Sequence, residues 1–393
     1  MSVPVLVTDG EQRSALATVR SLGRAGFQPY VASTTTRSLA GVSRFARAGV
    51  AVADPLTEPD RFVNDLIGLV RKWDIQALIP MTDASHLAVL PARGSFPGVC
   101  IPGPDAKAFR EISDKQALLR IAAPLGIHEP EQWTAEQPGG SMNLDGLEFP
   151  VVVKPRTSIA GAGTTRARRT AQLLANAKAL DAYLLGLPAA AYPVLIQRRI
   201  RGPGVGIFLL IWDGELLAAF SHRRLREKPP WGGVSVYRES FPLDAELLDQ
   251  SVRLLQEYEW RGVAMVEYKL DAHTGKAYLM EVNGRLWGSL QLAIDAGVDF
   301  PTLLLRAALE DRVQPVLEYK TGVRCRWWWG DVDHLLGCLR GGVRGVPSAQ
   351  PARGRAIVDF FKVWRPGDHS EVFRPSDLRP FLHESARWFR ELR

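Results

Sequence analysis

Val263-Ala-Met-Val-Glu-Tyr-Lys269 and Tyr278-Leu-Met-Glu-Val-Asn-Gly-Arg285 are the two runs whose reading decides the fold. Apolar and polar residues alternate along both, and residues 271–276 supply a polar turn between them, so the pair reads as a β-hairpin. Glu281 and Asn283 are two apart and share a face, which Glu267 can meet from the partner strand. Two carboxylates and an amide converging there make an oxygen-rich cluster suited to Mg²⁺ shared with a nucleotide's phosphates. Arg285 follows one alternation later. A surface hairpin with scattered charges would carry the same pattern, so the rest of the chain has to decide.

With 393 residues the chain is long for one core, and about two to three domains are expected. Its composition, 46% hydrophobic and 23% charged, is that of a globular protein. No run of about 18 uncharged apolar residues occurs, so no spanning helix and no stable membrane insertion are expected. The N-terminus lacks the basic start and long apolar stretch of a signal peptide. Cys100, Cys325 and Cys338 are too far apart for a metal or disulfide framework, and a reducing cytoplasm is the expected location. The net charge of +7 would suit nucleic acid, a membrane surface or a small anion. The arginines fall in separate clusters at 166–169, 198–201 and 223–226 and in the C-terminal tail. No zinc-finger or aromatic RNA-binding signature accompanies them, so small anions are expected rather than nucleic acid.

Strand-like and helix-like segments alternate over the first hundred residues: strands near 3–8, 28–32 and 77–81, helices near 13–25 and 58–73. This rhythm predicts a parallel sheet with helices on its faces and ligand-bearing loops at the strands' carboxyl ends. Two such loops are residues 9–14 and residues 82–86. In the second, Asp83 and Ser85 read equally well as substrate contacts and as helix N-capping residues. Pro102-Gly-Pro104 marks a boundary, after which a helix is expected over about 107–123. Strands are expected at 150–154 and 194–200, a helix at 170–185, and a hairpin from 205–212 and 216–222 across Asp213-Gly214. Helices are expected again at 243–259 and 300–309.

Lys154 ends a strand that leads into the loop Arg156-Thr-Ser-Ile-Ala-Gly-Ala-Gly-Thr164. A fixed cation beside glycines whose amides can close over an anion is a phosphate-binding arrangement, although a plain hairpin tip reads the same way. It is not a P-loop, since no Gly-Lys-Ser/Thr follows. Arg198, Arg199 and Arg201 suit a solvated edge as well as a substrate site. The run from His222 to Ser235 sets Arg223, Arg224 and Arg226 beside Trp231, Gly232 and Gly233. Such arginines suit a carboxylate or phosphate, and also a basic surface loop.

Taken in order, these pieces form a recognisable set. Ser113-Asp-Lys115, Gly126-Ile-His-Glu-Pro130, Val-Val-Lys154-Pro155, the glycine loop, residues 197–202, Glu267-Tyr-Lys269 and Glu281-Val-Asn-Gly-Arg285 together resemble the ATP-grasp superfamily. The likeness is to its carboxylate–amine ligases and the carbamoyl-phosphate synthetase large subunit, and it covers about residues 1–310. It implies an α/β fold with an N-terminal parallel α/β domain over 1–105 and a two-lobed grasp domain over 106–310. The small lobe would span about 130–195, the large lobe about 196–310, and an Arg/Trp-rich extension would occupy 311–393.

The resemblance also implies roles. Lys115 and Lys154 would contact the phosphates of ATP, and the loop bearing Ser158, Gly161 and Gly163 would close over them. Gln197, Arg198 and Ile200 would line the adenine hinge. Glu267, Glu281 and Asn283 would hold Mg²⁺, with Mn²⁺ as an alternative ion. Arg285 and Lys269 would act in catalysis, and Asp83, Ser85, Arg223, Arg224, Gly232 and Gly233 would meet the substrates. Where the family commonly carries acids at the hinge, this chain has Arg198 and Pro203, which leaves the ribose contacts open. The expected activity is a ligase that activates a carboxylate as an acyl-phosphate and joins it to an amine, with small-molecule partners and a homodimer as one open assembly. A bicarbonate-activating enzyme and a non-catalytic nucleotide-binding regulator are the alternatives.

Overall fold

The computed structural model describes residues 2–140, 144, 146–160, 166–309, 312–341, 346, 351–362 and 367–391. The chain begins with strands β1 (Pro4–Val7), β2 (Gln28–Ser33), β3 (Ala48–Ala51) and β4 (Ala77–Ile79), all parallel, in the order β3-β2-β1-β4. Helices α1 (Arg13–Arg24), α2 (Pro59–Trp73) and α3 (Asp83–Val89) connect and flank them. The expected βαβ rhythm is therefore present.

The helix expected over 107–123 is two: α4 (Ala106–Ser113) and α5 (Lys115–Ala122). Asp114 separates them because its carboxylate accepts the N–H groups of Gln116 and Ala117, both at 3.1 Å, and so starts a new helix. A four-stranded antiparallel sheet follows in the order β5-β10-β6-β9, from β5 (Gln132–Ala135), β6 (Val151–Pro155), β9 (Gln172–Leu174) and β10 (Val194–Arg198). The hairpin of β7 (Ile159–Ala160) with β8 (Ala167–Arg168) interrupts it. The helix expected from 170 starts later, as α6 (Ala177–Leu185), since Gln172–Leu174 pairs with β6 as an edge strand. This small sheet has its own core, in which Val151, Val153 and Ile196 meet Leu180 and Leu184 of α6.

The largest sheet runs β15-β14-β11-β12-β13-β16-β17. Its members are β11 (Gly204–Trp212), β12 (Glu215–Lys228), β13 (Val234–Ser240), β14 (Gly262–Leu270), β15 (Ala277–Asn283), β16 (Arg324–Arg326) and β17 (Asp368–Ser370). Helices α7 (Ala245–Gln256), α8 (Leu290–Ala296), α9 (Phe300–Ala308), α10 (Trp328–Arg340), α11 (Arg353–Phe361) and α12 (Arg379–Glu391) complete the chain. Each face of this sheet is buried in a different core. Val205, Ile207 and Leu209 pack with Leu66 and Leu254, while Phe208 and Leu210 pack with Leu16, Trp287 and Phe300. Both cores thus bind the N-terminal parallel layer to the large sheet. None of the described helices is long and apolar enough to cross a membrane.

Candidate active site

Strand β14 shows how the sequence builds the site. Ala264, Val266 and Tyr268 point into one core, while Val263 and Met265 point into the other. Further along that second face the apolar residues give way to Glu267 and then Lys269, where the sheet opens. In β15, Glu281 lies directly opposite Glu267 and Asn283 opposite Met265. The expected hairpin and its shared face are therefore seen residue for residue. A register irregularity follows Glu267, so that Tyr268 pairs with Leu279 and returns to the apolar core.

Cations surround these oxygens. Lys115, buried at the first position of α5, places its Nζ 3.3 Å from Glu281 Oε2. Asn283 donates to Glu281 Oε1 at 3.1 Å and accepts from Arg285 at 3.2 Å. Arg285 is clamped by Asp83, whose two carboxylate oxygens accept from its Nε at 2.9 Å and its Nη2 at 3.2 Å. The first position of α3 is thus tied to the end of the carboxylate hairpin.

Lys154 on β6 makes no ion pair among the described residues, and its Nζ lies 3.6 Å from Met280 Sδ. Burial depresses its ammonium to about 8, with Lys115 pushing the same way and Glu281 pulling against it. For Glu281 burial favours the neutral acid, yet Lys115 and Lys154, with hydrogen bonds from Asn283 and Lys115, outweigh it and bring the carboxyl down to about 2. Glu267 moves the other way: burial and the facing Glu281 raise it against the pull of Arg224.

A cleft of about 380 Å³ opens between α3, the α4–α5 junction, the β6–β7 connection and β15. Asp83, Ser113, Lys115, Ser158, Glu281 and Asn283 are among its walls. Asp83 and residues 113–115, 155–158 and 281–283 are thereby brought together. The hinge segment lies along β10, on the small sheet. Gln197 is buried and donates to Gln132 at 3.2 Å, Arg198 is exposed with its N–H on Glu131 O at 2.9 Å, and Ile200 is buried.

Other expected residues are distributed differently. Ser85 is fully buried in a capping box with Thr82, and its Oγ also accepts the Met81 N–H at 3.1 Å. Arg223 points away from the carboxylates, pairing with Glu239 at 2.7 Å over the ring of Phe241. Arg224 does face the site. It bonds Glu267 directly, Glu227 at 2.9 Å and the Gly233 carbonyl at 3.2 Å. Gly232 and Gly233 form the turn into β13, and Gly232 has φ 131°. Gly161 and Gly163 lie outside the described residues.

Sequence reasoning missed why Arg224 can reach Glu267 across the intervening strand. Gly204 and Gly206 of β11 face Lys269 and Glu267, and a Cβ on Gly204 would stand 3.0 Å from Arg224 Cδ. The pair of glycines two apart, opposite a strand ending in Glu and Lys, was the available signal.

Among the described residues no group of three or more His, Cys, Asp or Glu side chains forms a self-sufficient metal site. Two carboxylates and one amide oxygen are instead an all-oxygen donor set that fits Mg²⁺ completed by phosphate oxygens and water. A divalent ion there would displace Lys115 and Arg224 from the carboxylates they now hold.

Residues 191–330 match the family described as ATP-grasp in the biosynthetic pathway with Ter operon. Among solved structures, the L-amino acid ligase from Bacillus licheniformis superposes with a TM-score of 0.62 at 14% identity, covering 79% of this chain and 75% of that one. The biotin carboxylase from Campylobacter jejuni gives 0.63 at 15% identity, over 81% and 74%. N5-carboxyaminoimidazole synthetase from Staphylococcus aureus gives 0.62 at 13% identity, over 82% of each chain. The two antiparallel sheets and the preceding parallel layer thus share the fold of these solved structures, and residues 191–330 carry the match to the ATP-grasp family.

Proposed function

We propose that this chain is an ATP- and Mg²⁺-dependent ligase that activates a carboxylate as an acyl-phosphate and joins it to an amine. The observation that carries this reading is the convergence of Lys115, Lys154 and Arg285 on the oxygen cluster of Glu267, Glu281 and Asn283, beside a cleft that Lys115, Glu281 and Asn283 line. Phosphoryl transfer needs this combination of fixed cations and metal-binding oxygens, with little covalent work by the protein.

In the reaction, a carboxylate oxygen attacks the γ-phosphorus of ATP. The bond from that phosphorus to the bridging oxygen breaks, and its electron pair leaves with ADP. The amine nitrogen then attacks the acyl carbon, inorganic phosphate departs with the carbon–oxygen electron pair, and one proton passes to solvent. Lys154 and Lys115 hold the phosphates, with Lys115 leaving Glu281 to do so. Arg285, fixed by Asp83, faces the transferring group, and Lys269 stands two residues from Glu267 on the same face. The bound Mg²⁺ would neutralise charge on the phosphate oxygens. Ser158 lies on the connection that would cover an intermediate prone to hydrolysis. The same reading divides the chain near residues 105 and 310 into the α/β unit, the grasp unit and the extension.

A phosphate-release screen over pooled carboxylates, bicarbonate and amines with ATP and Mg²⁺ tests the proposal, with Glu281→Gln as control. Release that requires both a carboxylate and an amine is expected. In Glu281→Gln it should fall by at least about 100-fold, beyond what the loss of an outer metal-site partner causes, while circular dichroism stays unchanged. Normal Mg²⁺-dependent turnover in that variant would remove the metal-site assignment.

A further inference from the structure

Helix α12 has an inward side that is fully engaged and an outward side that is apolar. On the inward side Glu384 accepts the indole N–H of Trp327 at 2.8 Å and Ser385 that of Trp329 at 2.9 Å, while Trp388 donates to Asp333 at 3.0 Å. Trp329 and Trp388 stack with their ring centroids 4.2 Å apart. These contacts fix the rotation of the helix about its axis, and so decide which residues turn away from the protein.

The residues turned away include Leu378, 45% exposed, Leu382, 64%, and Phe389, 56%, with exposed Ala386 among them. The Leu382 N–H bonds the Leu378 carbonyl at 3.2 Å, which carries the helical turn back to Leu378. Residues 378, 382, 386 and 389 therefore recur at helical spacing and form one stripe, roughly 16 Å long. Single exposed apolar residues are ordinary, whereas a continuous stripe of large ones marks a contact surface. Charge adjoins it on one side. At about 100° per residue, Arg379 and Arg390 project directly beside the stripe and Arg387 beyond them. All three are exposed. Arg387 pairs with Glu11 at 3.1 Å and with Glu391 at 2.9 Å, while Arg379 and Arg390 make no ion pair among the described residues. Glu384, the other acid of the helix, is turned inward onto Trp327.

We infer that α12 attaches the protein reversibly to an anionic membrane surface. Leu378, Leu382 and Phe389 enter the headgroup region, and Arg379 and Arg390 meet the lipids' negative groups. The two unpaired arginines require an acidic occupant. A second copy in a two-fold contact would instead set the same arginines against one another. A lipid surface also accommodates a ridge on a single helix without a matching groove. Attachment of this kind is independent of the reaction the enzyme performs.

The test is co-sedimentation of the full chain with vesicles of phosphatidylcholine alone and of an equimolar mixture with phosphatidylglycerol. Binding is expected to the mixed vesicles only, and it should fall as salt is added. Arg379→Gln combined with Arg390→Gln should weaken it by about tenfold or more, because each basic group near an anionic surface adds to the attraction. Leu382→Asp should weaken it by about tenfold as well, with an unchanged urea midpoint because the inward contacts remain; should that midpoint fall, the arginine pair decides. No binding to the mixed vesicles, equal binding to both compositions, or native affinity in the arginine variant would overturn the assignment. A dimer that Leu382→Asp dissolves in analytical ultracentrifugation would also overturn it, giving the stripe to a second copy of the chain.

Discussion

Lys154 keeps its ammonium where burial disfavours charge, and this has a measurable consequence at the level of one residue. Its folded value of about 8 lies below the ordinary lysine value of about 10.4. Between those values the unfolded chain binds more protons than the folded one, so this group's contribution to stability rises as pH climbs through the window. Nucleotide affinity runs the opposite way, because the phosphates need the charged form. Above about pH 8, ATP binding should therefore take up a proton. Calorimetry in two buffers of different ionisation enthalpy reads that proton directly. Lys154→Met should weaken ATP binding strongly and abolish the uptake. An unchanged affinity in that variant, or no proton linkage in the native chain, would remove Lys154 from the phosphate site.

At the scale of elements, a fully buried carboxylate is one of the groups that tie α10 to the large sheet, beside the Lys228–Asp333 pair and the His334 contact with the Glu227 carbonyl. Asp331 is fully buried and accepts from Arg226 Nε and Nη2, both at 2.6 Å, and from Arg326 of β16. Asp331→Ala would leave two arginines without a counter-charge, a loss of about 3 kcal/mol or more. A matching fall in the urea midpoint is expected, and an unchanged midpoint would show that the pair adds nothing. Elements differ in how legible they were for a physical reason. The β14–β15 hairpin was readable because Glu267, Glu281 and Asn283 interrupt an apolar alternation on one face only. Residues 172–174 looked like the start of a helix, since nothing local marks them as the edge strand that β6 makes of them. Val234 and Ser235 read as the end of a basic loop, and residues 236–240 carried no expectation. Their strand form depends on pairing with β12 and with β16, the latter more than eighty residues downstream. The break at Asp114 was not foreseen, since residues 107–123 read as one helix.

Across the whole molecule, the C-terminal extension is fastened to the first helix. Arg20 of α1, 1% exposed, donates to Asp377 at 2.9 Å, and Ser43 and the Arg44 N–H share that carboxylate at 2.7 and 3.0 Å. Arg13 pairs with Glu371 and lies over the ring of Trp327, 3.8 Å from its centroid. Arg324–Arg326 extends the large sheet between β13 and β17, and farther on Arg387 of α12 pairs with Glu11 of the N-terminal layer at 3.1 Å. Contacts separated by more than 300 positions leave no local trace in a sequence. Asp377→Ala should lower the urea midpoint by an amount consistent with about 3 kcal/mol and speed tryptic cleavage after Arg374. Wild-type cleavage and midpoint would mean that the extension is held by its apolar contacts alone. An acyl-phosphate route moves one oxygen from the substrate carboxylate to the departing phosphate. With a substrate carboxylate labelled with heavy oxygen, ATP, Mg²⁺ and an amine, the released inorganic phosphate should carry one labelled oxygen per turnover. Unlabelled phosphate, or AMP with pyrophosphate in place of ADP, would contradict it.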